Sequence, residues 1–338
     1  MIITDIILPV FFVIALGVVL RLVGGVEERV FSRTQLYILT PALVFTAMAR
    51  AEVDTSLVLR VLVFVGFVMG SILAASQGIG LLLRRDRVER SALSIVSTFM
   101  NSGFYGIPLC MLAFGEKGFV YATLYVVCSA TYQSTVGIVV ASAGRRSLGA
   151  SLRRMVGIPI IWSIVLSRLL VAVDALPPEP LMKMIDLVGK AAIPIGLILL
   201  GMQLQRLVTG MLRGRRAARA ARGNGEEETV LPDCELPDDE DVSCPMGGRE
   251  VADGLIASVL RIGGGFGAAL LLLVFFEFEP ILEKVLIVEA SMPTAVNMVV
   301  YATEFDCKPR MVAFGVVAST IISILSVTLI LGYLGAGG

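Results

Sequence analysis

The chain has 338 residues, of which 56% are hydrophobic and 17% charged, and its mean hydropathy is +0.86. A soluble domain of this length could not bury so much apolar surface, so the composition predicts a polytopic membrane protein. The 28 basic and 28 acidic residues cancel, and no basic patch is interleaved with aromatic residues, so nucleic acid is not an expected partner.

The residue types that carry chemistry are scarce. The chain has no histidine, and its five cysteines show no C-x-x-C spacing. We therefore expect no metal site, no cofactor and no disulfide framework. General acid and base catalysis usually needs histidine or clustered carboxylates, so the sequence does not predict an enzyme.

Apolar runs predict an all-α membrane protein with ten spans. Crossing about 30 Å of hydrocarbon takes about 18 to 25 apolar residues. We expect the first run to be a retained helix, because no basic segment precedes it and no cleavage pattern follows it. The predicted spans lie near residues 4–24, 33–49, 57–83, 90–114, 118–142, 156–175, 184–204, 252–276, 281–303 and 309–334.

The loops between these spans predict an orientation in the cell membrane. One alternate set of loops holds 20 arginine and lysine residues and the other set holds five. Cytoplasmic loops carry the excess of such residues. Both termini are therefore expected on the outer side, and the loop between the seventh and eighth spans in the cytoplasm.

Weak internal similarity predicts two repeats. Each repeat would hold five spans, an odd number, so the second repeat must be inverted relative to the first, as in alternating-access carriers. The predicted units are a first repeat at 1–143 and a second repeat divided into 144–205 and 251–338. The segments that align are 8–12 with 158–162, 40–44 with 193–197, and 127–131 with 317–321.

An insertion at 206–250 divides the second repeat. Six arginines between Arg206 and Arg222 are followed by nine acidic residues between Glu226 and Asp241. Such a segment cannot bury a core, and we predict a disordered cytoplasmic linker. An alternative is that the arginines hold anionic lipid headgroups and the acidic run folds back on them.

Two spans are interrupted by residues that membrane helices avoid, at 97–108 and 289–297. Proline and glycine breaks in a membrane survive where they face protein or a water-filled cavity, and paired broken spans are typical of a transport site. Each break would expose a half-helix N-terminus, which favours an anion. An alternative is that these residues only kink structural helices. The predicted substrate-binding residues here are Asn101, Ser102, Gly103, Tyr105, Pro108, Pro293 and Asn297.

Gln133, in the fifth span, can either line the same cavity or bond to a neighbouring helix. The first break contains no acidic residue, so it suits a carboxylate better than sodium.

Charged residues inside spans need a reason, because burying a charge in a membrane is costly. Asp186 and Lys190 are four residues apart and are expected to pair on one helix face. Arg168 and Arg261 are expected to reach an interface. Glu289, four residues before Pro293, has two interpretations: it takes up a proton and couples proton movement to transport, or it pairs with Arg261, Lys190 or Arg168.

The first break resembles the asparagine and glycine-proline signature of the auxin efflux carrier family, in the run Asn101-Ser102-Gly103-Phe104-Tyr105-Gly106-Ile107-Pro108-Leu109. The second break is similar to that family's proline-asparagine signature, in the run Ser291-Met292-Pro293-Thr294-Ala295-Val296-Asn297. This family includes bacterial malate-permease-like proteins and plant PIN-type carriers, within the bile, arsenite and riboflavin transporter superfamily. The resemblance covers nearly the whole chain outside 206–250.

The resemblance implies a crossover of the fourth and ninth spans at the substrate site and an organic anion as substrate. It also implies a scaffold of the first, second, sixth and seventh spans that often forms a homodimer. Asn101 carries over as a direct substrate contact, and Pro108 and Pro293 as crossover prolines. In the plant carriers the long loop follows the fifth span, whereas here it follows the seventh. Glu289 is not expected in that family, which leaves the coupling mechanism open.

Together these features predict a secondary transporter in the lipid bilayer that moves a small organic anion, such as an auxin-like or dicarboxylic acid, by alternating access. The alternative in another class is a membrane sensor that binds the same ligand and signals through 206–250 without translocation.

Overall fold

The computed structural model describes residues 3–24, 26–50, 54–142, 159–223 and 246–335. In these ranges the chain is helical, and no β-strand is present. The predicted loop at 143–158 and the acidic part of the predicted insertion lie outside the described residues.

The α-helices of the described ranges are numbered here in chain order. They are α1 (Leu8–Gly24), α2 (Glu28–Thr34), α3 (Thr40–Arg50), α4 (Thr55–Leu82), α5 (Arg87–Thr98), α6 (Ile107–Tyr132), α7 (Ile138–Ala141), α8 (Pro159–Ala172), α9 (Glu179–Lys190), α10 (Ala192–Gly223), α11 (Gly248–Val259), α12 (Gly265–Leu273), α13 (Pro280–Ala290), α14 (Asn297–Glu304) and α15 (Pro309–Tyr333). Turns of π-helix continue or join several of them, at Ile3–Ile7, Gln35–Leu39, Ser102–Gly106, Gln133–Gly137 and Leu260–Gly264.

Six helical segments are long and apolar enough to cross a membrane, so the multi-pass class is confirmed. The segment Ser102–Ala141 has 40 residues, about twice the length that one crossing needs. It folds back at Gly115, whose φ of 67° suits glycine. The other five are Asp5–Val23, Ser56–Leu82, Glu179–Leu212, Gly248–Leu273 and Pro309–Tyr333.

The predicted insertion is partly helical. Helix α10 continues past Arg206 to Gly223, and α11 already begins at Gly248. The residues from 206 to 223 therefore correct the expectation of a disordered linker that begins at 206. The physical reason is that alanine and arginine are strong helix formers, and a membrane helix already supplies the nucleus from which they propagate.

The helices pack into two groups that meet along one interface. We name α1–α3 with α8–α10 the scaffold group, and α4–α7 with α11–α15 the bundle. Within the scaffold group, α1 and α10 approach so closely that a Cβ atom on Gly17 would lie 2.0 Å from the Ile198 carbonyl oxygen. Most of the fully buried apolar side chains, including Phe64, Leu93 and Phe99, lie in the bundle.

Candidate functional site

Both predicted breaks are present, and they pair with each other. The first lies between α5, which ends at Thr98, and the π-turn that begins at Ser102; the second separates α13 from α14. Met100 and Thr294 form an isolated antiparallel bridge. The Asn101 N–H donates to the Pro293 carbonyl at 2.7 Å, and the Ala295 N–H donates to the Phe99 carbonyl at 3.0 Å. Each break therefore supplies the hydrogen-bond partners that lipid could not.

The second break is satisfied inside the protein. Thr294 Oγ1 donates to the Val96 carbonyl at 2.7 Å, and the Thr294 N–H donates to Ser319 Oγ at 3.1 Å. Ser291 Oγ donates to the Ile287 carbonyl at 2.6 Å. Thr294, Ser291 and Ser319 are fully buried. The polar groups of Ser291 and Thr294 are therefore satisfied within the bundle.

The first break keeps free donors. The Asn101 Oδ1 atom accepts from the Phe104 N–H at 3.3 Å and so caps the following half-helix. That bond orients the amide and leaves Asn101 Nδ2 buried without a hydrogen-bond partner among the described residues. The Ser102 hydroxyl oxygen is also buried and makes no hydrogen bond of standard geometry there, and it lies beside the Glu289 carboxyl group. Asn101 is 5% exposed and Ser102 2% exposed.

A cavity of about 1210 Å³ lies between the bundle and the scaffold group, and it begins at these donors. Its size suits a small organic ligand. From the bundle, Asn101, Ser102 and Gly103 line it; from the scaffold group, Gln35 and Gln203 line it. Charged residues line the far end, which we name the mouth: Glu27, Glu28, Arg29, Arg206 and Glu304.

Two further predicted residues line the cavity wall. Gln133 Nε2 donates to the Met100 carbonyl at 3.0 Å, and Asn297 Nδ2 donates to Gln133 Oε1 at 3.4 Å. Both of the roles considered for Gln133 therefore occur together: it lines the cavity and it bonds to a neighbouring segment.

The remaining predicted residues are buried outside the cavity lining. Pro108 lies at the start of α6. The Pro293 carbonyl accepts the hydrogen bond from the Asn101 N–H. The Tyr105 ring packs edge-on against Phe11 of α1, with 5.8 Å between ring centroids, and its hydroxyl accepts from Ser323 Oγ at 3.3 Å. The structure thus places Tyr105 between scaffold group and bundle, not in the cavity.

Glu289 is fully buried on α13, against the first break. Its Oε1 atom lies 3.7 Å from Cys110 Sγ, and its Oε2 atom has no hydrogen-bond partner among the described residues. A Cβ atom on Gly106 would lie 2.2 Å from Oε2. No lysine or arginine of the described ranges forms an ion pair with it, so the pairing interpretation is wrong for this structure.

The predicted pair of Asp186 and Lys190 is confirmed, with 2.7 Å between Oδ2 and Nζ. Arg168 donates to the Met48 carbonyl at 3.4 Å.

Arg261 is a functional candidate that the sequence reasoning missed. Its guanidinium donates to the carbonyls of Ser97 at 2.9 Å and of Thr98 at 2.6 Å, and to the carbonyl of Ala290. These carbonyls end α5 and α13, where the helix dipoles are negative. Arg261 is fully buried, so the expectation that it reaches an interface is wrong. Its place in the middle of the apolar run 252–276, far from both interfaces, is the signal that could have found it.

Comparisons with known proteins relate the chain to membrane transporters. The chain is 26% identical to the “Putative malonate transporter” of Rhizobium meliloti, over 99% of this chain and 97% of that protein. It is 24% identical to an uncharacterized transporter of Methanothermobacter thermautotrophicus, over 96% of both chains. A family model described as “Membrane transport protein” matches residues 2–148 and 143–331. The chain therefore belongs to this family of membrane transporters, the auxin efflux carrier family that its two signatures resemble.

Proposed function

We propose that the protein is a secondary active transporter of small organic anions, with the substrate bound at the paired breaks. One observation carries the proposal: Asn101 lines a cavity between two groups of helices, its amide group is oriented by its capping bond, and its Nδ2 atom is buried without a hydrogen-bond partner among the described residues. A buried donor without a partner costs free energy that a ligand acceptor would recover.

The donors at the breaks favour an anion. The helix that continues from Ser102 through α6 presents its positive end to the cavity, and so does α14 at Asn297. Among the described lining residues, the cations are Arg29 and Arg206, both at the mouth. Neutral donors and helix ends would therefore receive the carboxylate. The name of the Rhizobium meliloti relative supports dicarboxylates as one candidate class.

The proposed architecture is ten spans in two inverted five-helix repeats, with both termini on the outer side of the cell membrane and 206–250 in the cytoplasm. Charge supports this topology, since the arginine-rich loops fall on one side. In that orientation the mouth, with Arg29 and Arg206, opens to the cytoplasm. Alternating access would move the bundle against the scaffold group, and a homodimer would form through the first, second, sixth and seventh spans.

Glu289 is the proposed proton-coupling residue. It lies against the first break and has no counter-ion among the described residues. The titratable groups beside it are Cys110 and Tyr125, both on α6. We expect uptake by Glu289→Gln to lose its dependence on an imposed pH gradient but to keep substrate exchange. Glu283→Gln, on the same helix, is the control, and an unchanged gradient dependence in Glu289→Gln would exclude the coupling role.

Uptake into proteoliposomes tests the proposed function. Labelled malonate, malate and indole-3-acetate would be offered to the wild type, to Asn101→Ala and to the control Thr328→Ala, whose hydroxyl bonds to the Ile324 carbonyl away from the cavity. We expect flux of at least one anion in the wild type and the control, and its loss in Asn101→Ala. Ligand binding without flux in the wild type would contradict transport and would favour a sensor.

A further inference from the structure

The cavity has two polar regions, which we name its poles. The first pole is the first break of the bundle, and the second is Gln35 of the scaffold group. Gln35 is 4% exposed and lines the cavity, and its Oε1 atom is buried without a hydrogen-bond partner among the described residues. We infer that this transporter selects organic anions that also carry a hydrogen-bond donor, which Gln35 Oε1 accepts while the carboxylate binds at the first break. The inference rests on the proposed function and narrows its substrate class.

Two bonds fix the orientation of the Gln35 amide. Nε2 donates to the Ala192 carbonyl at 2.9 Å, in the first turn of α10, and to Thr40 Oγ1 at 3.1 Å. A flipped amide would place its oxygen against the Ala192 carbonyl oxygen, which is repulsive. The atom left to face a ligand is therefore an acceptor.

Gln35 lies close to the anion-binding turn. A Cβ atom on Gly196 would lie 3.4 Å from Gln35 Nε2 and 3.2 Å from the ring of Phe104, so only the width of one glycine separates the amide from that ring. Phe104 belongs to the same π-turn as Ser102, and both line the cavity. A small ligand can thus contact both poles at once, with its carboxylate on the bundle and its donor on the scaffold group.

An acceptor at Gln35 would distinguish acids of similar size by whether they carry a hydrogen-bond donor. A hydroxy acid, a dicarboxylate that keeps one proton, and an acid with an indole N–H each offer a donor. A ligand without one would cover Gln35 Oε1 and leave it unpaired and desolvated. A site built around a hydrogen bond rejects such analogues more strongly than a site built on apolar contact.

Matched ligand pairs test this selection. Lactate is compared with 2-methoxypropanoate, and indole-3-acetate with its N-methyl derivative, as inhibitors of labelled substrate uptake. We expect the methylated member to bind about tenfold more weakly in the wild type, the loss that one hydrogen bond explains. In Gln35→Met the two members of a pair should bind alike. In the control Gln77→Met, which loses a bond to Ser94 away from the cavity, the discrimination should persist.

Two outcomes would overturn the inference. Equal binding of both members of a pair by the wild type would exclude a hydrogen bond between the ligand donor and the second pole. Discrimination that survives in Gln35→Met but disappears in Gln203→Met would assign the pole to Gln203, whose Oε1 is also buried without a partner among the described residues. The same pairs are measured as ligand-induced shifts in the unfolding temperature of the purified protein. Selection seen there without any uptake would contradict transport and leave the Gln35 assignment standing.

Discussion

The two breaks differ in how their polar groups are satisfied. At the second break, the Thr294 hydroxyl and N–H bond to Val96 and Ser319 within the bundle. At the first break, Asn101 Nδ2 and Ser102 Oγ are buried without hydrogen-bond partners of standard geometry among the described residues, and both residues line the cavity. The difference indicates a division of roles. We propose that the second break stabilises the paired geometry and that the first break keeps its donors for a ligand.

Arg261 is expected to stabilise the paired breaks, and its substitution should have the largest effect on the free energy of unfolding. Arg261→Gln takes a cation from the buried carbonyls of Ser97, Thr98 and Ala290. We expect the free energy of unfolding to fall by about 3 kcal/mol or more, because hydrogen bonds from charged donors contribute about 1.5–3 kcal/mol each. Unfolding in detergent, followed by temperature or denaturant, measures the loss.

Arg60→Gln is the matched control for Arg261. Its guanidinium also donates to a backbone carbonyl, that of Glu277 at 3.2 Å, but at an exposed site. We expect a change below about 0.5 kcal/mol there. Equal losses in the two variants would mean that Arg261 does not hold the breaks together.

Asn101→Asp tests the proposed role of the first break in anion binding. The aspartate keeps an oxygen that can cap the Phe104 N–H, but it replaces the free Nδ2 donor with a negative oxygen. Repulsion of an anionic substrate should weaken its binding by about 3 kcal/mol, about a hundredfold in Kd. The buried carboxylate also costs free energy, so the unfolding temperature should fall as well. Isothermal titration with the transported anion measures Kd, and Asn297→Asp on the exposed wall of the cavity is the comparison. Loss of stability with unchanged Kd would reverse the roles assigned to the two breaks.

Gly106→Ala tests the contact between the first break and Glu289. The new methyl group would lie 2.2 Å from Glu289 Oε2, and overpacking of this kind costs about 1–3 kcal/mol. Gly103→Ala, in the same turn, is the control, because its nearest neighbour would be a Val126 methyl group at 3.9 Å. Unfolding temperatures of both variants check this. If Glu289→Ala does not relieve the loss in Gly106→Ala, the contact is not its cause.

The positions of the breaks could be predicted from the sequence because proline and glycine act locally. Pro108 lies at the start of α6, and Pro293 lies between α13 and α14. The membrane class could be predicted because composition alone indicates it, without knowledge of any tertiary contact. The partners of Arg261 could not be predicted, because Ser97 and Ala290 come together only when the two breaks pair. Tyr105 was predicted in the cavity because the sequence does not show that Phe11 and Ser323, both distant in the chain, contact its side chain.

The smallest effect is expected far from both breaks, where the carboxyl group of Glu279, just before α13, bonds to two side chains of α6. Glu279 accepts from the Tyr121 hydroxyl at 2.5 Å and from Lys117 Nζ at 3.1 Å, and these donors lower the pKa of its carboxyl. A carboxyl with a lowered pKa in the folded state stabilises the protein above its ordinary pKa, and this contribution is lost as the pH falls through the lowered value.

Glu279→Gln should therefore reduce stability by less than about 1 kcal/mol near neutral pH, because the group is exposed and screened by solvent. The difference from the wild type should shrink as the pH falls below about 4. Unfolding temperatures of wild type, Glu279→Gln and the exposed control Glu116→Gln across pH measure it. A loss of stability as large as that of Arg261→Gln would mean that this exposed contact stabilises the bundle as much as the paired breaks do. The stability data would then no longer distinguish the structural role of the breaks from that of an ordinary surface contact.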